Sequence, residues 1–253
     1  MRLFSFPHAG GGSSEFVAWA NRFGPDLELI CIQLPGRGSR IGEPPYVELP
    51  TMLREIADAI CPFVSEPFAL IGHSFGALVA FELARLLRRT SGQEPEHLFV
   101  SAARAPHLGL PHAPLHKLPD GEFITALHSH YGGLPPAVTR ERELLQLLLP
   151  AIRADLTAYE TYVCQPEQPL DCPITAFTGS QDSTATAEAA AEWSIHTSAE
   201  FQMNILPGDH FFLEMNRDFL IRAIVSKLCI PLFGASGENS LSDKSASARK
   251  YSL

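Results

Sequence analysis

Ser74 lies in Gly72-His73-Ser74-Phe75-Gly76, a G-x-S-x-G pentapeptide that follows the apolar run Phe68 to Ile71 and precedes a helical pattern beginning near Phe75. On a sharp strand-to-helix turn a serine is lifted clear of the sheet, and glycines must flank it because a Cβ there would collide with neighbouring backbone. A serine hydroxyl is a weak nucleophile at neutral pH; it needs an adjacent base, and the base needs an acid to orient it. His210, in Gly208-Asp209-His210-Phe211-Phe212 after the last strand-like run, is the expected base. The acid must follow a strand between serine and histidine, at the sheet edge where the elbow opens. After Ser101 no carboxylate occurs until Asp120, whereas Ile174 to Thr178 runs into Gly179-Ser180-Gln181-Asp182, so Asp182 is the expected acid. Asp209 is the runner-up, poorly directed because it is adjacent to His210. Acyl chemistry also needs donors for an oxyanion. Pro7-His8-Ala9-Gly10-Gly11-Gly12 follows the first strand-like run, which makes the backbone N–H groups of Ala9 and Phe75 the expected pair.

Competing chemistries fail on single positions. A dinucleotide loop read from Gly10 needs glycine where Glu15 stands, and a phosphate-binding loop lacks its lysine. His112 and His116 have metal-ligand spacing, but Ala113 occupies the place of the glutamate. No metal and no cofactor is expected. Cys31, Cys61, Cys164, Cys172 and Cys229 are spaced for neither a zinc site nor a disulfide framework, and are expected as reduced thiols. With 19 Lys+Arg against 28 Asp+Glu the chain carries −9, which disfavours nucleic acid and anionic membrane surfaces as partners. No apolar run approaches the ~20 residues of a spanning helix. A cytoplasmic protein is expected.

These groups need a scaffold. Runs rich in Val, Ile, Leu and Phe at Arg2–Phe6, Leu27–Ile32, Phe68–Ile71, Leu98–Ser101, Ile174–Thr178 and Phe201–Leu206 read as buried strands of a largely parallel sheet. Helical patterns at Ser14–Phe23, Leu49–Val64, Phe75–Arg89, Thr184–Trp193 and Glu214–Leu228 alternate with them, which defines an α/β class. From His107 to about Gln165 the rhythm breaks, with only Pro-punctuated turns and two amphipathic stretches. The first places Phe123, Leu127 and Tyr131 at i, i+4 and i+8; the second carries Leu144 to Leu149, then Ile152, Leu156 and Tyr159. Such faces either pack on the parent domain or, since insertions of this length are commonly functional, belong to a lid. A mobile helical lid over Asp120 to Tyr162 is expected, with Phe123, Leu127 and Tyr131 lining an acyl chamber beside Ser74. The expected organisation is one domain over 1–233, with its insertion at about 107–165, and a disordered tail over 234–253.

Taken together, Phe6-Pro7-His8-Ala9-Gly10-Gly11, Leu34-Pro35-Gly36-Arg37, the serine pentapeptide, Arg104-Ala105-Pro106-His107, Ile152-Arg153-Ala154-Asp155, Gly179-x-x-Asp182 and Pro207-Gly208-Asp209-His210-Phe211 resemble the type II thioesterases of polyketide and non-ribosomal peptide assembly lines. The likeness runs to about Leu228, and the animal medium-chain fatty acid synthase thioesterase is similar. The resemblance implies an α/β-hydrolase fold, a mostly parallel central sheet flanked by helices with the insertion as helical lid. It implies Ser74, Asp182 and His210 as triad, and release of acyl or aminoacyl groups from the phosphopantetheine arm of an acyl or peptidyl carrier protein. Such carriers are typically acidic, so docking on a chain at −9 requires a local patch, for which Arg104, Arg140 and Arg142 are candidates. A monomer is expected. A general serine carboxylesterase or acyl-CoA thioesterase would use the same triad, and a non-catalytic hydrolase-fold binding module is the remaining alternative.

Overall fold

Strands apolar on both faces need helices above and below them. The computed structural model describes residues 1–132, 141–229 and 249–252. Its strands are β1 (Arg2–Phe6), β2 (Glu28–Gln33), β3 (Phe68–His73), β4 (His97–Ser101), β5 (Ile174–Gly179) and β6 (Phe201–Leu206), each within two residues of its expected bounds. They pair in parallel in the order β6-β5-β4-β3-β1-β2. Every residue of β3, β4 and β5 is buried, whereas β6, on the sheet edge, is only partly so. In the expected disordered tail the structure differs at four residues: Arg249–Ser252 form β7, parallel to β2 in the register Ile30↔Arg249. An open strand edge offers unpaired N–H and C=O groups to any extended segment within reach. The rest of that tail lies outside the described residues.

Side chains alternate across the sheet, so β1 sends Phe4 to one core and Leu3 to the other. The first core includes α2 (Leu49–Ile60) and α3 (Phe75–Ser91), through Met52, Leu53, Leu78 and Phe81. The second holds α1 (Ser14–Val17) and a C-terminal helix, Arg217–Lys227, through Phe16, Leu220 and Ile224. Each fully buried Leu or Phe contributes roughly 1.5–3 kcal/mol.

Several expected helices are shorter, for local reasons. The Leu49–Val64 pattern becomes a 3-10 turn over Cys61–Phe63, because Pro62 has no N–H to continue the ladder. Ser14–Phe23 divides into α1 and a 3-10 turn at Ala20–Arg22. Between β4 and β5 come α4 (Asp120–Tyr131) and α5 (Arg142–Glu160), with residues 133–140 outside the description. Phe123, Leu127 and Tyr131 of α4 pack against Leu149, Ile152 and Leu156 of α5, so the two amphipathic faces bury each other. The remaining helices are α6 (Ala187–Ala191) and α7, the Arg217–Lys227 segment.

Among the described glycines the closest backbone approaches are at the start of α3. A Cβ on Gly76 would strike the backbone of Phe6 and Pro7, and one on Gly72 the backbone of Gly76 and Ala77. Gly76→Ala should therefore lower unfolding free energy in urea by about 2 kcal/mol or more. Gly121→Ala, in α4 with open space around it, should raise it by about 0.4–1 kcal/mol. Equal effects of the two substitutions would contradict this packing.

Candidate active site

β3 passes into α3 through one residue, Ser74, at φ 55 and ψ −117, a conformation that residues with a Cβ rarely adopt. Its N–H is held by Ser101 O at 2.7 Å, and its own carbonyl accepts from Ala77 N–H at 3.0 Å. Strain of this kind costs about 1–3 kcal/mol and persists where surrounding contacts over-determine it. Here it leaves the hydroxyl at the C-terminal end of the central strands, 2.8 Å from His210 Nε2. His210 Nδ1 is 2.8 Å from Asp182 Oδ2, and Asp182 Oδ1 accepts from the N–H groups of Thr184 and Ala185, both at 2.9 Å.

Those amides explain why α6 starts later than the Thr184 pattern suggests: two N–H groups of the would-be first turn belong to Asp182, and Thr186 caps the helix instead. Burial alone raises the Asp182 carboxyl. The His210 hydrogen bond and charge, then the Ala185 and Thr184 amides, outweigh it and hold the group below its ordinary range. The structure thus brings Ser74, His210 and Asp182 into one hydrogen-bonded line that can carry a proton from hydroxyl to imidazole with a fixed anion behind. Asp209 stands apart: its Oδ1 accepts from Phe211 N–H at 2.9 Å.

The loop after β1 lies against this line because Gly76 meets Phe6 and Pro7. Among the described residues the N–H groups of Ala9 and Phe75 have no hydrogen-bond partner. The amides on either side of Ala9 are both bound to carboxylates. His8 N–H reaches Glu15 Oε2 at 3.3 Å, and Gly10 N–H reaches Asp155 Oδ2 at 2.7 Å. Glu15 also sits 2.9 Å from His8 Nδ1. Burial pulls the His8 imidazole down, but Glu15 prevails and its pKa ends above the usual value.

Asp155 is in turn clamped by Arg37. Nη2 meets Oδ1 at 2.8 Å and Nη1 meets Oδ2, while Nε reaches Pro35 O at 3.1 Å. Arg37 is 2% exposed and Asp155 0%. In the sequence both are only motif positions, 118 residues apart. The one signal that could have found them is an acid among Ala151, Ile152, Ala154, Leu156 and Ala158, where a charge has to find a partner.

Beside Ser74 opens a cleft lined by Leu78, Arg104, Pro106, Tyr159, Tyr162 and Trp193 among others. None of the three expected chamber residues is in its wall. Phe123 is 0% exposed and Leu127 is buried with it in the α4–α5 core, because an amphipathic pattern marks a buried face without naming what covers it. Tyr131 instead sets its ring edge-on to His210, centroids 5.0 Å apart. Arg104, a candidate docking residue, lines the cleft and donates from Nη1 to Thr184 O at 3.2 Å, bracing the Asp182 loop. Arg142 is exposed at the start of α5, and Arg140 lies outside the described residues. His116 pairs with Glu160 at 2.6 Å and His112 with the Tyr131 hydroxyl at 3.1 Å, so the two do not converge.

A serine on a strand-to-helix elbow above a parallel sheet, with histidine and aspartate delivered by later strand ends, defines the α/β-hydrolase class. Within it the chain belongs to the thioesterase domain family, which matches residues 1–228. It is similar to the gramicidin S biosynthesis protein GrsT of Aneurinibacillus migulanus, 40% identical over 232 residues that cover 92% of this chain and 90% of that one. Similarity is 44% over 237 residues, 93% and 90% of the two chains, to a protein of Brevibacillus parabrevis named linear gramicidin dehydrogenase LgrE. No dinucleotide chemistry follows from that name, since Glu15 interrupts the glycine loop such a cofactor needs. The solved structure of RedJ, the thioesterase of the prodiginine pathway in Streptomyces coelicolor, superposes with a TM-score of 0.84 at 41% identity, covering 90% of each chain. The protein is a thioester hydrolase. Among the described residues no helix is long and apolar enough to cross a membrane.

Because Asp182 is held below its ordinary range in the folded chain, its ionisation adds stability that is present above the unfolded carboxyl value and lost as pH falls through the folded one. The urea-midpoint gap between wild type and Asp182→Asn should therefore narrow below about pH 4. A gap that widens in acid would contradict the sign.

Proposed function

We propose that Ser74 is the nucleophile, His210 the general base and Asp182 the orienting acid in hydrolysis of acyl or aminoacyl thioesters carried on the phosphopantetheine arm of a carrier protein. The observation that carries this reading is the unbroken line Ser74–His210–Asp182, with both links at 2.8 Å. Ser74 Oγ attacks the thioester carbonyl while His210 Nε2 takes its proton, and the Ala9 and Phe75 amides receive the developing oxyanion. The thiol leaves with the proton from His210. Water then enters, gives its proton to the same nitrogen and releases the acid, freeing Ser74. Asp182 keeps the imidazole in the tautomer that points a lone pair at Ser74.

The carrier as substrate is supported by relatives of this length and fold that bear the names of gramicidin S and prodiginine biosynthesis. In this reading α4 and α5 form the lid of a single hydrolase domain, and the acyl group occupies the cleft between Leu78, Tyr159, Tyr162 and Trp193. The α5 side is fixed, since Asp155 and Ile152 tie it to the loop after β1.

Ser74→Ala should lower kcat by about 10⁴-fold or more and Asp182→Asn by a comparable factor, both proteins remaining folded. Asp209→Asn should stay within about threefold, its carboxylate serving only its own loop; the reverse ranking, read from initial rates of acyl-pantetheine hydrolysis, would move the acid. Contacts remote from the carbonyl add binding energy in the transition state. The same butyryl group should therefore show a higher kcat/KM on a cognate carrier than on coenzyme A, and equal values would leave a general acyl-thioesterase.

A further inference from the structure

The Ala9 N–H is the only free amide in a run of three. His8 N–H before it is held by Glu15, and Gly10 N–H after it by Asp155. The peptide unit that carries it is held at its carbonyl, where His8 O accepts from Gly11 N–H at 2.8 Å, and the units on either side are held by the two carboxylates, so these three bonds together set the direction of the free amide. Glu15 is local, seven residues away along the same loop and helix start. Asp155 is not: it comes from α5, 145 residues on, and its other oxygen is engaged by a buried Arg37. Gly10, at φ +75, also leaves no room for a Cβ on the side where Ile152, one turn before Asp155, fills the space. The loop is therefore gripped by α5 at two points, one polar and one apolar.

We propose that Asp155 is a positioning residue for the oxyanion hole, and that α5, besides belonging to the lid, is a structural part of the hole. This rests on the reading of Ala9 N–H as an oxyanion donor. The carboxylate has four acceptor lone pairs and uses them for a guanidinium fork and an amide. An asparagine in its place has one oxygen, and cannot serve the fork and the amide as the carboxylate does. An α5 displaced from the sheet would release Gly10 N–H and with it the direction of the Ala9 amide. Seating α5 and assembling the hole are one event.

The test separates positioning from folding. Asp155→Asn should lower kcat about 10²-fold with KM within about threefold, the loss seen when one oxyanion donor is misplaced. Its inhibition constant for butylboronic acid, whose tetrahedral serine adduct needs the hole, should rise by a similar factor. Its affinity for a non-hydrolysable acyl thioether should stay within about twofold of wild type.

Arg37→Met/Asp155→Leu removes both charges, and its urea midpoint should recover relative to Asp155→Leu alone, while kcat stays low. A double variant that regains stability and kcat together would overturn the proposal, making the pair a fold element only. So would an Asp155→Asn enzyme whose boronate and thioether affinities fall in parallel. If wild type fails to hydrolyse butyryl-pantetheine and Ser74 resists a fluorophosphonate, the thioesterase reading itself fails, an outcome distinct from both.

Discussion

The site depends on how closely β1 and α3 approach each other. Gly72 and Gly76 allow the end of β3 to turn within one residue, and the Gly76 backbone lies against the carbonyls of Phe6 and Pro7. Two consequences follow from that one contact. Ser74 is driven to φ 55 with its hydroxyl above the sheet, and the segment leaving β1 is placed beside the N-terminus of α3. The Ser74 hydroxyl and the candidate oxyanion donors are thus positioned by backbone, before any side chain takes part. The strain stored at Ser74 is offset by the hydrogen bond its N–H donates to Ser101 O and by the apolar cores on both faces of the sheet.

Buried carboxylates hold the rest of the site. Asp182 receives His210 and two amides, and Asp155 receives Arg37 and the Gly10 amide. Glu160 accepts the Leu115 and His116 amides, and Glu82 joins Arg85 to the Tyr162 hydroxyl. Three of the four tie the segment between β4 and β5 to itself or to the parent sheet. Each is costly to desolvate and worth retaining only with its partners in place. The interpolated helices are therefore held by directional bonds as well as by the apolar seam of Phe123, Leu127 and Ile152.

Much of this was legible in the chain. Strand positions follow from apolar runs, and the expectation of Ser74, His210 and Asp182 follows from the G-x-S-x-G pentapeptide, the chain order of the three and their places after strand ends. What was hidden depends on tertiary approach. The periodicity of α4 marked Phe123 and Leu127 as buried, yet periodicity carries no information about whether a face meets a substrate or another helix. Arg104 read as a surface cation, but the turn after β4 folds it inward onto Thr184 O. The Arg37–Asp155 pair spans 118 residues and could be approached only from Asp155, an unexplained charge among the apolar residues of α5. Pairing of Arg249–Ser252 with β2 depends on an open edge, which no local pattern announces.

The account stands or falls on an acyl group resting on Ser74. Wild-type protein mixed with butyryl-pantetheine, quenched in acid within milliseconds and digested, should yield the Ser74 peptide heavier by one butyryl group, formed as fast as the first equivalent of thiol is released. The adduct should be absent from Ser74→Ala. Full thiol release with no adduct on any peptide, or an adduct on another residue, would contradict it.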